Sequence, residues 1–154
     1  MDQAFLKAAV DEALDSVGRG GGPFGAVVVR DGTIIARGQN RVTATHDPTA
    51  HAEVVAIRAA CAALRDHRLS GATLYASTEP CPMCLAASYW ARLDRVLHAA
   101  TRDDAARAGF DDAVLYEQFV LPAHARSLPV VHLPVAGATE PFERWAALAT
   151  RVPY

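Results

Sequence analysis

The residues of this chain best suited to chemistry are a histidine and a glutamate two positions apart, followed further on by a pair of cysteines. The chain reads His51-Ala52-Glu53 and later Pro80-Cys81-Pro82-Met83-Cys84. One imidazole and two thiolates are good zinc ligands, and three protein ligands leave the fourth tetrahedral position open for water. A structural zinc is normally closed by four protein ligands instead. The pattern therefore predicts a zinc site with hydrolytic chemistry.

Glu53 is the acidic residue of this motif, and we expect it to stay off the metal. Residues two apart on a helix point about 200° away from each other. His51 and Glu53 can therefore converge only within a first helical turn, where a helix start at Asp47-Pro48 would place them. Cys81 and Cys84 are three apart and share a helix face. Zinc can lower the pKa of a water molecule to about 7, and Glu53 would take that proton and pass it to a ring nitrogen and a departing amine. H-x-E followed by P-C-x-x-C is typical of zinc-dependent base deaminases.

A structural zinc is the alternative interpretation of these residues, and it requires a fourth ligand. His46 and Cys61 are the nearby candidates. We expect His46 to lie in the loop before the helix, and Cys61 to be a small buried apolar residue. The other histidines show no partner at ligand spacing, and we expect them to be structural or solvent-facing.

Composition indicates one domain, residues 1–154, with a small-molecule substrate. The formal net charge is -2, and no cluster of Lys and Arg marks a nucleic-acid surface. No run approaches the roughly 18 to 20 apolar residues of a membrane span, and the first residues do not resemble a secretory signal. Three cysteines, two of them in C-x-x-C, fit metal binding in a reducing compartment. We therefore expect a cytoplasmic protein without membrane or nucleic-acid partners.

The elements that must position the motif alternate between helices and strands. Apolar periodicity predicts a helix over 2–18, then strands over 24–30 and 33–39 joined by a turn at Asp31-Gly32. The helix that starts at Asp47-Pro48 would run to about residue 67. Further strands are predicted over 73–77, 95–99 and 129–133, and further helices over 82–92, 102–108, 111–117 and 141–150. This order predicts an α/β fold with three α/β/α layers and a mixed sheet of about five strands.

The motifs resemble those of the cytidine deaminase-like superfamily in the same order. Its purine-acting branch is similar in the segments Gly22-Pro23-Phe24-Gly25-Ala26, Gln39-Asn40, Asp47-Pro48-Thr49-Ala50-His51-Ala52-Glu53 and Glu79-Pro80-Cys81-Pro82-Met83-Cys84. Two later segments, Ala108-Gly109-Phe110-Asp111-Asp112 and Pro141-Phe142-x-x-Trp145 through to Tyr154, resemble short bacterial guanine deaminases. This narrower resemblance extends along nearly the full length, and plant guanosine deaminases share much of it.

The resemblance implies conversion of guanine to xanthine and ammonia by a homodimer that binds Zn²⁺. His51, Cys81 and Cys84 would bind zinc, while Glu53 and Asp112 would be the catalytic acids and bases. The residues implied to contact the base are Asn40, Phe24, Ala52, Trp90 and Tyr154. Asn40 would hydrogen-bond the base, Asp112 would meet its N–H edge, and Phe24 and Trp90 would form apolar walls. The C-terminal segment, about residues 140–154, would be exchanged between subunits, so that Tyr154 closes the partner's pocket.

Several alternatives stay open at this level. Phe24 and Trp90 could belong to the core, Asp112 could cap a helix, and Tyr154 could be a frayed end. The substrate could be guanosine or another nucleoside, a triazine such as ammeline, or cytosine. A tRNA adenosine deaminase shares the metal motifs but usually has a basic C-terminal helix, whereas residues 146–154 are poor in charge. A non-catalytic module would be expected to lack Glu53 or a zinc ligand.

Overall fold

In the computed structural model, which describes all 154 residues, the chain divides into two units, Met1–Asp112 and Ala113–Tyr154. The elements of the first unit are α1 (Asp2–Gly18), β1 (Gly25–Arg30), β2 (Thr33–Gln39), α2 (Val42–Thr45), α3 (Ala52–Leu64), β3 (Ala72–Thr78), α4 (Pro82–Trp90), β4 (Arg95–Ala100) and α5 (Arg102–Arg107). The second unit contains α6 (Ala113–Val120), a 3₁₀ turn (Ala123–Ala125) and α7 (Glu140–Ala147). None of the helices combines the length and apolar character that a membrane span requires.

The strands of the first unit form one mixed sheet in the order β2-β1-β3-β4. Strand β1 is antiparallel to both β2 and β3, and β4 is parallel to β3. Asp31 and Gly32 connect β1 to β2 with φ values of 51° and 72°. Two central residues with positive φ are typical of a type I′ turn, whose twist matches that of the flanking strands. The predicted hairpin is therefore confirmed.

Helices cover both faces of the sheet because its central strand β1 is apolar on both sides. Val27 and Val29 face a cluster that includes Ala9 of α1. Ala26 and Val28 belong to a second cluster with residues of α3 such as Ala56. Strands buried on both faces read as continuous apolar runs rather than as alternating ones. The three-layer α/β/α fold predicted from the sequence is confirmed.

Helix α3 lies directly on strand β2 because residue 38 has no side chain. A Cβ atom built on Gly38 would lie 2.1 Å from the carbonyl oxygen of Ala52 and 2.6 Å from the backbone nitrogen of Ala56. Such distances are far inside van der Waals contact, so a side chain at this position would separate the two elements. Gly38 thereby sets the distance between the sheet and the first turns of α3.

The predicted start of the third helix at Asp47-Pro48 is wrong. Helix α3 begins at Ala52, with His51 as N-cap, and ends at Leu64 rather than near residue 67. Asp47 accepts hydrogen bonds from the backbone nitrogen of Thr49 at 2.8 Å and from its hydroxyl at 2.7 Å. This is an Asx turn, a local structure that Asp forms as readily as a helix cap. The short helix α2 was not predicted.

The fifth strand predicted over residues 129–133 is also wrong, so the sheet has four strands. These residues pair with no other strand, and Val130, Val131 and Leu133 are 57%, 72% and 76% exposed. A run of β-branched residues favours extended backbone, but a strand also needs a neighbour for its hydrogen bonds. The last helix, α7, is close to its predicted range and ends at Ala147.

Candidate active site

The ligand atoms of His51, Cys81 and Cys84 meet where α3 and α4 begin. His51 caps α3 and Cys81 caps α4, each with extended backbone, and Cys84 lies in the first turn of α4. Cys81 Sγ lies 3.6 Å from both His51 Nδ1 and Cys84 Sγ, and Cys84 Sγ lies 3.5 Å from His51 Nδ1. Tetrahedral zinc with bond lengths near 2.1 and 2.3 Å requires separations of about 3.6 to 3.8 Å between such atoms. The three side chains therefore fit zinc.

The cluster contains three potential ligands and no fourth. His46 lies at the exposed C-cap of α2, with a φ of 53°, and is not part of the cluster. Cys61 is half-buried on α3, where it packs against the apolar cluster on that face of the sheet. Three protein ligands are the arrangement of a catalytic zinc site, whereas a structural site is closed by four. This geometry disfavours the structural alternative.

Hydrogen bonds among these side chains shift the pKa values of the two thiols in opposite directions. The contact with Cys84, supported by His51, lowers the pKa of Cys81 to about 4 although burial opposes the shift. The same contact between the sulfurs, together with burial, raises the pKa of Cys84. The contact with Cys81 raises the pKa of His51. The thiolate, not the thiol, is the form of cysteine that binds metals, so metal binding at this cluster requires Cys84 to release its proton as well.

Glu53 lies in the first turn of α3 and is only 7% exposed. Burial raises the pKa of this carboxyl, and the charge of Cys81 adds to the shift. Glu53 does not belong to the cluster of metal-ligating atoms, as expected from the unmatched sides of H-x-E. A buried carboxyl with a raised pKa beside a metal site is a candidate for proton transfer.

A cavity of about 570 Å³ opens onto this site. Its lining includes six of the residues predicted from the sequence: Phe24, Asn40, His51, Glu53, Cys81 and Asp112. Asn40 is half-buried, and its side-chain oxygen accepts a hydrogen bond from the backbone nitrogen of Val42 at 3.3 Å. Burial raises the pKa of Asp112, and the thiolate of Cys81 adds to this shift. The fold thus brings two of the three zinc ligands, together with Glu53, Asn40 and Asp112, to one cavity.

Three predicted substrate-binding residues lie elsewhere in the single chain. Ala52 is fully buried in the apolar cluster between α3 and the sheet and does not line the cavity. Trp90 is the last residue of α4, is 61% exposed and is not among the lining residues either. Tyr154 belongs to the second unit and is 76% exposed.

Sequence reasoning missed several residues of the cavity wall. Phe110 meets Phe24 edge to face, with ring centroids 4.9 Å apart, and both rings line the cavity. Glu79 and Arg102 also line it, and a Glu79 carboxylate oxygen accepts a hydrogen bond from the Arg102 backbone nitrogen at 3.1 Å. Phe110 and Glu79 stand inside the motifs that carried the family resemblance, so position within a motif was the signal available for them.

A comparison with known protein families matches the part of the chain that carries the metal motifs. The family profile described as the cytidine and deoxycytidylate deaminase zinc-binding region matches residues 1–100. The chain belongs to this deaminase family. The matched region contains all three zinc ligands and Glu53. The resemblance inferred from the motifs is confirmed, and zinc is the metal that the cluster fits.

Individual relatives within the deaminase family differ in how much of the chain they match. Guanine deaminase of Bacillus subtilis (strain 168) is 50% identical over 153 residues, which is 99% of this chain and 98% of that protein. Its X-ray structure has a TM-score of 0.96 and covers the same shares of the two chains. A tRNA-specific adenosine deaminase of Agrobacterium fabrum is 48% identical over 96 residues, or 62% of this chain and 63% of that protein. A structure of guanine deaminase from Nitrosomonas europaea has 34% identity and a TM-score of 0.68, over 71% of this chain and 64% of that one.

Proposed function

We propose that the chain is a zinc-dependent guanine deaminase that converts guanine to xanthine and ammonia. The observation that carries this proposal is the extent of similarity to Bacillus subtilis guanine deaminase. That similarity covers 99% of this chain, whereas the match to the Agrobacterium fabrum tRNA deaminase covers 62% of it. The first relative therefore also matches the second unit, which the family profile does not reach.

Glu53 is the group that we propose to move protons. His51, Cys81 and Cys84 would hold zinc, which would supply a water molecule of lowered pKa as the nucleophile. Glu53 would carry two protons from this water in turn, the first to a ring nitrogen and the second to the amine that leaves as ammonia. Its pKa is raised by burial, which suits a group that must both accept and donate near neutral pH.

Asn40, Asp112 and the two phenylalanines are the residues that we propose to hold the base. The oxygen of the Asn40 side chain is engaged by Val42, so its NH₂ group can donate to a carbonyl or ring nitrogen of guanine. A carboxylate at Asp112 can accept from the adjacent N–H groups of guanine. Phe24 and Phe110 form an apolar wall against which a planar ring can pack.

The second unit supports a proposal about assembly. None of residues 113–154 is buried in the single chain, and Phe119, Phe142 and Tyr154 are 60%, 74% and 76% exposed. Many large apolar side chains exposed in one segment are typical of an interaction surface. We propose that this unit packs against a second copy of the chain in a homodimer, with residues of about 140–154 exchanged so that Tyr154 closes the partner's cavity. Light scattering should give twice the monomer mass.

The proposed partners are therefore a purine base and a second subunit, while nucleic acid is not expected. A cytoplasmic location, expected from the cysteine content, stays a prediction. Contacts of Trp90 and Ala52 with the base stay predictions, since neither residue lines the cavity of the single chain.

The test is ammonia release by zinc-loaded protein with guanine, guanosine, cytosine, adenine and ammeline as substrates. Turnover of guanine with little activity on guanosine is the expected result. Turnover of guanosine instead would move the chain to nucleoside chemistry. Inactivity towards the whole panel would overturn the proposal, and a salt-dependent gel shift with tRNA would then test the RNA alternative.

A further inference from the structure

Ser16 is a buried polar residue that the proposed mechanism does not use. It lies on α1 and is only 2% exposed. Its hydroxyl donates a hydrogen bond to the carbonyl oxygen of Gly22 at 2.8 Å and lies 3.4 Å from the carbonyl oxygen of Asn40. Ser16 does not line the cavity, but both residues that its hydroxyl contacts do. It therefore connects the helix to two separate segments of the cavity wall.

These two segments pack so closely that small changes in one must move the other. A Cβ on Gly22 would lie 3.1 Å from Cγ and 3.2 Å from Oδ1 of the Asn40 side chain. A Cβ on Gly21 would lie 2.5 Å from the Ser16 hydroxyl and 3.1 Å from the Asn40 carbonyl oxygen. The backbone nitrogen of Gly21 also donates to the Ser16 carbonyl at 2.8 Å. The glycine segment thus forms the support behind the Asn40 amide, and Ser16 holds that support in place.

We infer that Ser16 is a positioning residue for Asn40 and thereby sets the affinity of the cavity for the base. The inference rests on the proposed function, since it requires that Asn40 contacts the base. Without the hydroxyl, the carbonyl of Gly22 keeps only the hydrogen bond from the backbone nitrogen of Phe24 at 2.9 Å. The glycine segment then loses its tie to α1 and can move away from the Asn40 side chain. The Asn40 amide would then be free to leave its binding orientation, which weakens an interaction made with the bound base.

The test is a double-mutant cycle with S16A, N40A and the combined variant, measured as KM and kcat for guanine. S16A should raise KM about five-fold and leave kcat within about two-fold, because it removes an interaction made equally in the ground and transition states. In the N40A background the same substitution should leave KM unchanged, because the group that Ser16 positions is gone.

Tyr75→Phe is the matched control for the loss of a buried hydroxyl. Tyr75 is 4% exposed, its hydroxyl donates to Asp2 of the same helix α1 at 2.6 Å, and it does not line the cavity. Y75F should lower the melting temperature as S16A does, while its KM stays that of the wild type. A KM for S16A equal to that of Y75F would overturn the inference.

A KM that rises by the same factor in the N40A background would overturn it as well, because Ser16 would then act on something other than Asn40. The same cycle is measured as the guanine Kd by calorimetry in an E53Q background, where base is not consumed. Failure of the proposed function shows as wild-type protein that does not turn guanine over. Failure of the Ser16 inference shows as additive effects of S16A and N40A on Kd.

Discussion

Gly38 is where the structure allows the sharpest prediction about folding and catalysis together. In G38A the new Cβ would meet the carbonyl oxygen of Ala52 at 2.1 Å and the Ala56 nitrogen at 2.6 Å. A carbon atom and a carbonyl oxygen in normal contact lie about 3.3 Å apart, so α3 must retreat from β2 by about 1 Å. Backbone atoms cannot rotate away as a side chain could. We expect the upper part of the overpacking range, about 3 kcal/mol, or a melting temperature lowered by roughly 10 °C.

The same displacement should reach the active site because Ala52 stands between two of its residues. His51 and Glu53 flank it at the start of α3, whereas Cys81 and Cys84 are carried by α4. A retreat of α3 therefore shifts the imidazole and the carboxyl relative to the two sulfurs. A misplacement of about 1 Å can cost about 100-fold in rate. We expect G38A to lose about that factor in kcat/KM even at temperatures where it stays folded.

The assay combines thermal melting, zinc content and guanine turnover at a temperature well below the melting point of the variant. Gly32→Ala is the matched control, because a Cβ there meets nothing within 4 Å although φ is +72°. It should cost about 1 kcal/mol through backbone strain and leave kcat/KM unchanged. The reasoning is refuted if the melting temperature of G38A equals that of the Gly32→Ala control. It is also refuted if G38A is destabilised while its folded form retains the wild-type kcat/KM.

Three further predictions concern the proton shuttle, the metal and a buried tyrosine. Glu53→Gln should retain zinc by elemental analysis but lose about 10² to 10⁴-fold in kcat; substantial turnover by the zinc-loaded variant would contradict the proposed shuttle. Chelation should lower the melting temperature, and added zinc should restore it. Zinc at 100 times its Kd should add about 2.7 kcal/mol to the free energy of unfolding, and an unchanged melting curve would argue against a metal in this cluster. Burial, with the hydrogen bond to Asp2, raises the pKa of Tyr75 from its ordinary value of 10.0 to about 12. The unfolded chain then loses this proton near pH 10 while the folded one keeps it, so stability falls between pH 10 and about 12. The difference in melting temperature between wild type and Y75F, measured by calorimetry, should shrink as the pH rises from 10 to about 12. A constant difference would contradict the raised pKa of Tyr75.

The zinc ligands could be predicted from sequence because their geometry is local. Cys81 and Cys84 are three residues apart on one helix, and Pro82 marks that helix as starting there. The pairing of this helix with the one that carries His51 and Glu53 is not local, and it was supplied by the family pattern. Arg102 could not be predicted, since it lies in no motif. It lines the cavity as the first residue of α5, directly after β4.

The second unit could not be predicted in the same way. Its apolar residues Val130, Val131 and Leu133 form a short run that favours a strand, yet they are exposed and unpaired in the single chain. An apolar sequence pattern indicates that a segment is suited to burial, but it does not indicate which partner covers the segment. If these residues pack against a second copy, as proposed, the information that decides their structure lies in another chain.

The true start of α3, five residues after the predicted one, explains how the H-x-E motif separates its two side chains. The predicted helix start at Asp47 would not let His51 and Glu53 converge, because both would be helical and would point about 200° apart. In the structure His51 is the N-cap, with ψ of 154°, so its side chain leaves from extended backbone while Glu53 lies within the first turn. The two-residue spacing therefore crosses a change of backbone conformation. This change places the imidazole beside the two sulfurs, while Glu53 stays outside that cluster and lines the cavity. The division of roles depends on the helix starting after His51, and Gly38, packed against Ala52, helps to hold that start in place.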